Sequence, residues 1–391
     1  MPDRNPTIAL VAGETSGDQL GAALIHSLRS RFPQARFVGI GGPGMQNAGL
    51  EAWWDSSELA VMGLFEVLSH LPRLLKIRRE LRRRLLELKP DLFIGIDAPD
   101  FNLGLEIALR RRGIRTVHYV SPTVWIWRKR RVHKIARAAD LVLCLFPFEP
   151  AFYERHHVPA VYVGHPMADQ IEPDPDPVAA RKRLGLTPRA TTVALLPGSR
   201  ESEVSRLAAP MIEAARLLAE RRPEIQFVAA MASPDVDRVF AGALAQSGFT
   251  SIRCIDGRAR TVIASADAVM CASGTATLET LLVNRPLVMT YVISASSYQL
   301  AKQLRLIRPQ SFSLPNILAG EALIPELIQK EATGPALAAA VSRWLDDEAA
   351  RDILRRRFLD IHEQLRCGAS EQAASAVEEL LSPEGTRGRA G

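Results

Sequence analysis

The chain has 391 residues, 47% hydrophobic and 24% charged, with a formal net charge of +6 and a pI of about 9.3. That length suits two or three domains, and that composition suits packed cores rather than disorder. Four scattered cysteines with no C-x-x-C spacing exclude a zinc ribbon or a disulfide framework. The N-terminus lacks a signal-peptide pattern and no apolar run nears the ~20 residues that span a bilayer, so a cytoplasmic protein is expected.

The first half reads as alternating strands and helices, the pattern of a doubly wound α/β domain. Residues 8–12 (IALVA) form a first strand that enters Gly13-Glu14-Thr15-Ser16-Gly17-Asp18, and a helix follows from about Gln19 to Arg31. The glycines do not fit G-x-G-x-x-G, so a dinucleotide is not expected. Ser16 and Gly17 are candidates for cradling an anion, although Glu14 and Asp18 would oppose one. A strand at 37–40 is followed by an apolar stretch at 59–71 that includes Val61, Met62, Leu64, Phe65 and Leu68. Next comes a helical segment at 72–89 carrying Arg73, Lys76, Arg78, Arg79, Arg82, Arg83 and Arg84. An apolar knob beside a basic helix suits an anionic membrane surface; the plainer reading is a core helix with a solvated face.

The strand at 91–96 ends on Asp97-Ala98-Pro99-Asp100. Ligands of open α/β sheets bind beyond the carboxyl ends of strands, so Asp97 is a candidate general base; Asp100 is the better helix cap. A strand at 116–120 leads to Trp125, Trp127 and a second basic run, Arg128 to Arg131 with Lys134 and Arg137. No helix-turn-helix, RNA-binding sheet motif or zinc finger accompanies these charges, so nucleic acid is not the expected partner. Further strands fall at 141–145 and 161–163, before His165-Pro166.

Residues 172–177 (EPDPDP) form a linker by composition. Asp174 and Asp176 have D-x-D spacing, as do Asp235 and Asp237, but a proline-rich linker and a helix start do not supply a rigid metal site. The alternation then restarts, with strands at 193–196, 226–230, 252–255, 268–271 and 287–292. The first runs into Gly198, Ser199 and Arg200 ahead of a helix from Glu201. Free N–H groups and the dipole at such a helix start favour an anion, and Arg200 can grip phosphate bidentately. A second small-residue loop, Ser273-Gly274-Thr275, opens another helix, with Glu279 about one turn in and within reach of ribose hydroxyls. Asn316 offers a loop amide. A charged helical pattern spans 336–381, and residues 382–391 read as a disordered tail.

Seven segments together resemble the lipid-A-disaccharide synthase family: 12–22 (AGETSGDQLGA), 95–102 (GIDAPDFN), 119–135, 163–169 (VGHPMAD), 196–203 (LPGSRESE), 273–279 (SGTATLE) and 313–320 (SLPNILAG). Each is weak alone; in order and at these spacings they are specific, over residues 8 to 381. The resemblance implies a GT-B architecture of two Rossmann-like doubly wound domains facing a central cleft. Residues 1–170 would be an acceptor and membrane-facing domain and 171–345 a UDP-sugar domain. C-terminal helices at 346–381 would pack back on the first domain or exchange within a homodimer.

The implied reaction joins UDP-2,3-diacylglucosamine to 2,3-diacylglucosamine 1-phosphate, releasing UDP, with no cofactor and no metal. The resemblance assigns Asp97 as the essential carboxylate and Arg200 as the diphosphate arginine. Ser273, Gly274 and Thr275 match the phosphate loop, and Glu279 and Asn316 the UDP-binding pair. After Tyr291, where many relatives carry a basic residue, stand Val292 and Ile293. Both substrates are membrane amphiphiles, which strengthens the reading of the apolar knob with Arg73 and Lys76 as a peripheral contact on the cytoplasmic face of the inner membrane. UDP-N-acetylglucosamine 2-epimerases share the architecture and are the alternative; they would need no such patch and make no disaccharide.

Overall fold

The computed structural model describes residues 5–59, 64–122, 131–293 and 311–382, with the backbone alone for 64–71. Val61 and Met62, the side chains of Leu64, Phe65 and Leu68, Trp125 and Trp127, the basic run 128–130 and the tail from 383 lie outside that description.

Two compact units emerge, residues 1–169 with 365–391, and residues 170–364. The first is built on β1 (Thr7–Ala12), β2 (Arg36–Ile40), β3 (Leu50–Trp54), β4 (Leu92–Ile96), β5 (Arg115–Tyr119), β6 (Leu141–Cys144) and β7 (Ala160–Tyr162). Their order across the sheet is β3-β2-β1-β4-β5-β6-β7, and every pairing is parallel. Strand β1 is apolar and buried from Ile8 to Ala12 because both faces are covered. Ile8, Leu10 and Ala12 enter one core cluster, and Ala9 and Val11 enter the other, as the two-residue period of a strand requires.

The second unit repeats the plan with β8 (Thr192–Leu196), β9 (Gln226–Met231), β10 (Ile252–Asp256), β11 (Ala268–Ala272), β12 (Leu287–Tyr291) and β13 (Glu326–Ile328). Here the order is β10-β9-β8-β11-β12-β13, again all parallel. Both sheets are therefore doubly wound. Their strand order reverses between β1 and β4 in the first and between β8 and β11 in the second, which is where such folds bind ligands.

The sequence pattern misses two edge strands: β3, which is buried only at Leu50, and β13, which is three residues long and half-buried, so neither carries a buried apolar run. The first helix starts at Thr15, four residues before the expected Gln19. The apolar and basic segments expected to be separate are one helix, Leu64–Leu88, running through Pro72. The long helical pattern at 336–381 is three helices: Gly334–Asp346, Glu348–Leu365 and Ala369–Leu381. Asp347 breaks the first junction, its carboxylate accepting from Ala350 N at 2.8 Å. Gly368, at φ +69, breaks the second, in a left-handed conformation that glycine adopts without steric cost.

Of these helices, Ala369–Leu381 belongs to the first unit and Glu348–Leu365 to the second, up to Gln364. Ala373, Ala374, Val377 and Leu381 complete a core cluster of the first sheet. Arg31 anchors the same helix to Glu378 at 2.6 Å and Glu371 at 3.2 Å. The Asp169 carboxylate caps its start, accepting from Gly368 N at 2.9 Å and Ala369 N at 2.7 Å. His165 N donates to Leu365 O at 2.9 Å, and a Cβ on Gly164 would lie 2.7 Å from Cys367 Cβ. The 163–169 motif is thus a socket for the returning C-terminal helix. Burial of His165 there drives its pKa down to about 4.

Candidate functional site

In the second unit, the ends of β8 and β11 open into a cavity of about 440 Å³. It is lined from one side by Gly198, Ser199, Arg200 and Glu203, and from the other by Ser273, Gly274, Thr275 and Glu279. Two small-residue turns thus aim two helix starts, Glu201–Arg221 and Thr275–Leu282, at one space. Gly198 and Gly274 hold φ +125 and +138, values that L side chains rarely adopt, so each turn depends on its glycine. Neither helix has a side-chain hydrogen bond from its N-cap residue, so first-turn amides can serve an anion. The Arg200 side chain is 78% exposed, so its guanidinium can be reached by a ligand in solution.

Three residues that the sequence reading passed over complete this cavity. Gly257 and Arg258 follow β10 and line it; Arg258 is held at φ +50. Glu203 accepts from Ser199 N at 3.2 Å and from Arg200 Nη1 at 3.2 Å. Glu203 stands three residues after the N-cap Arg200, the position from which an acidic side chain reaches back over a helix start; that placement was the available signal. Glu279 also has company: Arg260 Nε donates to its Oε1 at 3.0 Å.

Asn316 does not line this cavity. Its Nδ2 donates to Ile324 O at 3.0 Å and Glu326 Oε1 at 2.8 Å, and its Oδ1 accepts from Ile324 N at 2.9 Å. The same Glu326 carboxylate accepts from Phe312 N, Ser313 N and Ser313 Oγ at 2.7–2.9 Å. With its amide spent on this loop, Asn316 shapes the segment after residue 311 rather than offering a free amide.

In the first unit, Asp97 follows β4 and lines a separate cavity of about 430 Å³ with Gly13, Glu14, Arg78 and Asp100. Asp97 and Ala98 sit at φ +48 and +41. Two successive left-handed non-glycine residues cost on the order of 1–3 kcal/mol each and persist only where the surroundings enforce them. The enforcement is visible. Asp97 N donates to Tyr119 O at 2.8 Å, Pro99 opens the next helix, and buried Asn102 Nδ2 donates to Asp97 O at 2.9 Å. Beneath it, Glu106 and His118 form a fully buried pair at 2.8 Å. Gly95 leaves room for that pair, since a Cβ there would come within 2.2 Å of Glu106 Oε1.

Ser16 and Gly17 do not line the Asp97 cavity. Gly17 is buried, and its Cβ would meet that of Ala12 at 3.3 Å; Ser16 lies exposed in the first helical turn. From that loop it is Gly13 and Glu14 that line the cavity. Asp18 is structural: its carboxylate accepts from Gly42 N, Gly44 N and Met45 N at 2.7–3.0 Å.

Arg73 and Lys76 are exposed on the helix Leu64–Leu88, and Arg73 pairs with Glu58. Arg83 and Arg84 pair with Glu80, and Arg83 also with Glu87. The solvent face therefore keeps Lys76, Arg79 and Arg82 around Leu75, which is 42% exposed. Among the described residues no group of His, Cys, Asp and Glu could hold a metal ion. Asp174 is instead shared by Arg285 and Arg355, and Asp176 caps the helix Pro177–Arg183.

Residues 8–377 match the family model described as lipid-A-disaccharide synthetase. A lipid-A-disaccharide synthase of Xanthomonas campestris pv. campestris (strain 8004) is 52% identical over 381 residues, covering 97% of this chain and 87% of the relative. Among solved structures, the kitacinnamycin glycotransferase superposes with a TM-score of 0.64 at 16% identity, covering 97% of this chain and all of that one. A UDP-GlcNAc 2-epimerase from Neisseria meningitidis gives 0.57 at 10% identity, with 96% and 99% covered. At such identities these last two share only the fold, and the epimerase alternative rests on that likeness of fold. The chain belongs to the lipid-A-disaccharide synthase family, glycosyltransferases of lipid A synthesis built on two parallel α/β domains.

Proposed function

We propose that the enzyme transfers 2,3-diacylglucosamine from UDP to the 6-hydroxyl of 2,3-diacylglucosamine 1-phosphate with inversion. The observation that supports this most is that each unit carries a switch-point cavity, one with a carboxylate held at a strand end and the other with two helix starts and an arginine. The cavity of the second unit, with its two helix starts and Arg200, takes the diphosphate; Glu279 accepts from the ribose hydroxyls. Asp97, in the first unit, removes the acceptor proton. The hydroxyl oxygen bonds to the anomeric carbon as the bond to the UDP oxygen breaks on the opposite face. Negative charge then grows on the diphosphate, where fixed amides and a guanidinium stabilise it. The oxocarbenium-like transition state gains from the same carboxylate.

The basic face of Leu64–Leu88 holds the enzyme peripherally against anionic lipid at the cytoplasmic surface, where both amphiphilic substrates reside. No described helix is long and apolar enough to cross a membrane, in keeping with surface attachment. The test is incubation with both lipid substrates on anionic vesicles, followed by mass analysis. A disaccharide 1-phosphate with stoichiometric UDP is expected, and vesicle binding should fall as salt rises. Release of UDP without a disaccharide would overturn the assignment, and salt-insensitive binding would overturn the electrostatic anchor.

A further inference from the structure

The contacts of Glu203 bear on how the diphosphate site works. Its carboxylate bonds Ser199 N and Arg200 Nη1, both at 3.2 Å. It also overlies the turn itself, since a Cβ on Gly198 would stand 2.8 Å from Glu203 Oε2 and 2.9 Å from Glu203 Cβ. The backbone N–H and the guanidinium assigned to the diphosphate are therefore already engaged by an anion belonging to the protein. The side chain is 18% exposed and lines the cavity itself, so a ligand phosphate entering the turn meets it directly.

We infer that Glu203 is an internal competitor of the diphosphate, which must surrender Ser199 N and Arg200 when a nucleoside diphosphate binds and which recaptures them as UDP leaves. This rests on the proposed placement of the diphosphate in this cavity. The competing role is helix capping alone, and the two make opposite predictions. If Glu203 only caps the helix, removing its charge loosens the turn and weakens the ligand. If it competes, removing the charge relieves repulsion of the diphosphate and frees a donor pair, and the ligand binds more tightly.

The geometry also sets a kinetic signature. A carboxylate that returns to Arg200 speeds departure of the product, so its loss should slow release more than it speeds association. This is the usual pattern, in which affinity changes lie in the dissociation rate.

Calorimetric titration of the full-length protein with UDP tests the inference, comparing wild type with Glu203→Gln and Glu203→Asp. Glu203→Gln should lower the Kd for UDP about tenfold, the scale of one nearby like charge removed at a partly desolvated site. Glu203→Asp keeps the charge but loses one methylene of reach, so a smaller tightening is expected. Stopped-flow displacement should place the Glu203→Gln gain in a slower dissociation rate. An unchanged or higher Kd in Glu203→Gln, with thermal unfolding showing a folded protein, overturns the inference. Absence of UDP binding by the wild type, or UDP binding unaffected by Arg200→Ala, would instead overturn the placement of the diphosphate.

Discussion

The two units have the same sheet plan and differently built sites. Where β1 and β4 part, the chain places Glu14, Asp97 and Asp100, with Arg78 among them, around a cavity. Where β8 and β11 part, it places glycine turns, two helix starts and Arg200. Parallel strand order fixes where a cavity forms, and the few residues after each strand decide what it does. After β4 comes Asp-Ala-Pro-Asp, two left-handed residues and a proline that hold a carboxylate at the strand end. After β8 and β11 come Pro-Gly-Ser-Arg and Ser-Gly-Thr, which expose backbone donors. The first arrangement suits taking a proton and the second suits receiving charge.

The largest expected effect comes from breaking the acidic side. Asp97→Asn should lower kcat by about 10³-fold or more, the upper range for loss of a general base, while UDP binding stays within twofold. Single-turnover assay and calorimetry on the same preparation check both halves, and normal turnover would remove Asp97 as the base. Arg200→Ala breaks the basic side. By analogy with losing one fixed donor at a developing oxyanion, it should cost about 3 kcal/mol in the transition state, roughly 10²-fold in kcat. A loss confined to KM would instead mean that Arg200 binds ground and transition states equally.

The scaffold of the first unit offers a third comparison, read in pH. His165 is buried neutral with a pKa of about 4 against an ordinary value of 6.5. In that window the unfolded chain binds the proton and the folded chain does not, so stability falls as pH drops from 6.5 towards 4 and levels off below. The expected loss is about 3 kcal/mol, on the same scale as the Arg200 effect but in unfolding rather than rate. Urea denaturation of wild type and His165→Asn at pH 7 and pH 4.5 checks it; an equal loss in both proteins would assign the acid sensitivity elsewhere. Because His165 sits in the socket of the helix Ala369–Leu381, protection of that helix from hydrogen exchange should be lost first.

Much of the fold was legible in the sequence because buried parallel strands read as short apolar runs, and nearly all of the interior ones stand where the pattern put them. The turns at Gly198 and Gly274 and the carboxylate after β4 were legible too, since glycine, proline and acid at strand ends have local causes. Other features depended on partners distant in sequence. Asn316 reads as a free loop amide, yet Ile324 and Glu326 consume it. Ser16 and Gly17 read as an anion cradle, whereas the early helix start leaves Glu14 at the cavity. Residues 163–169 read only as a family motif; their work, seating a helix some two hundred residues downstream, appears only once the chain has returned. Local sequence therefore determined the elements and the chemistry at their ends. Tertiary structure decided which polar groups were left free to act, because a hydrogen-bonding group that a neighbour, near or far in the chain, has already satisfied can act only if that neighbour gives it up.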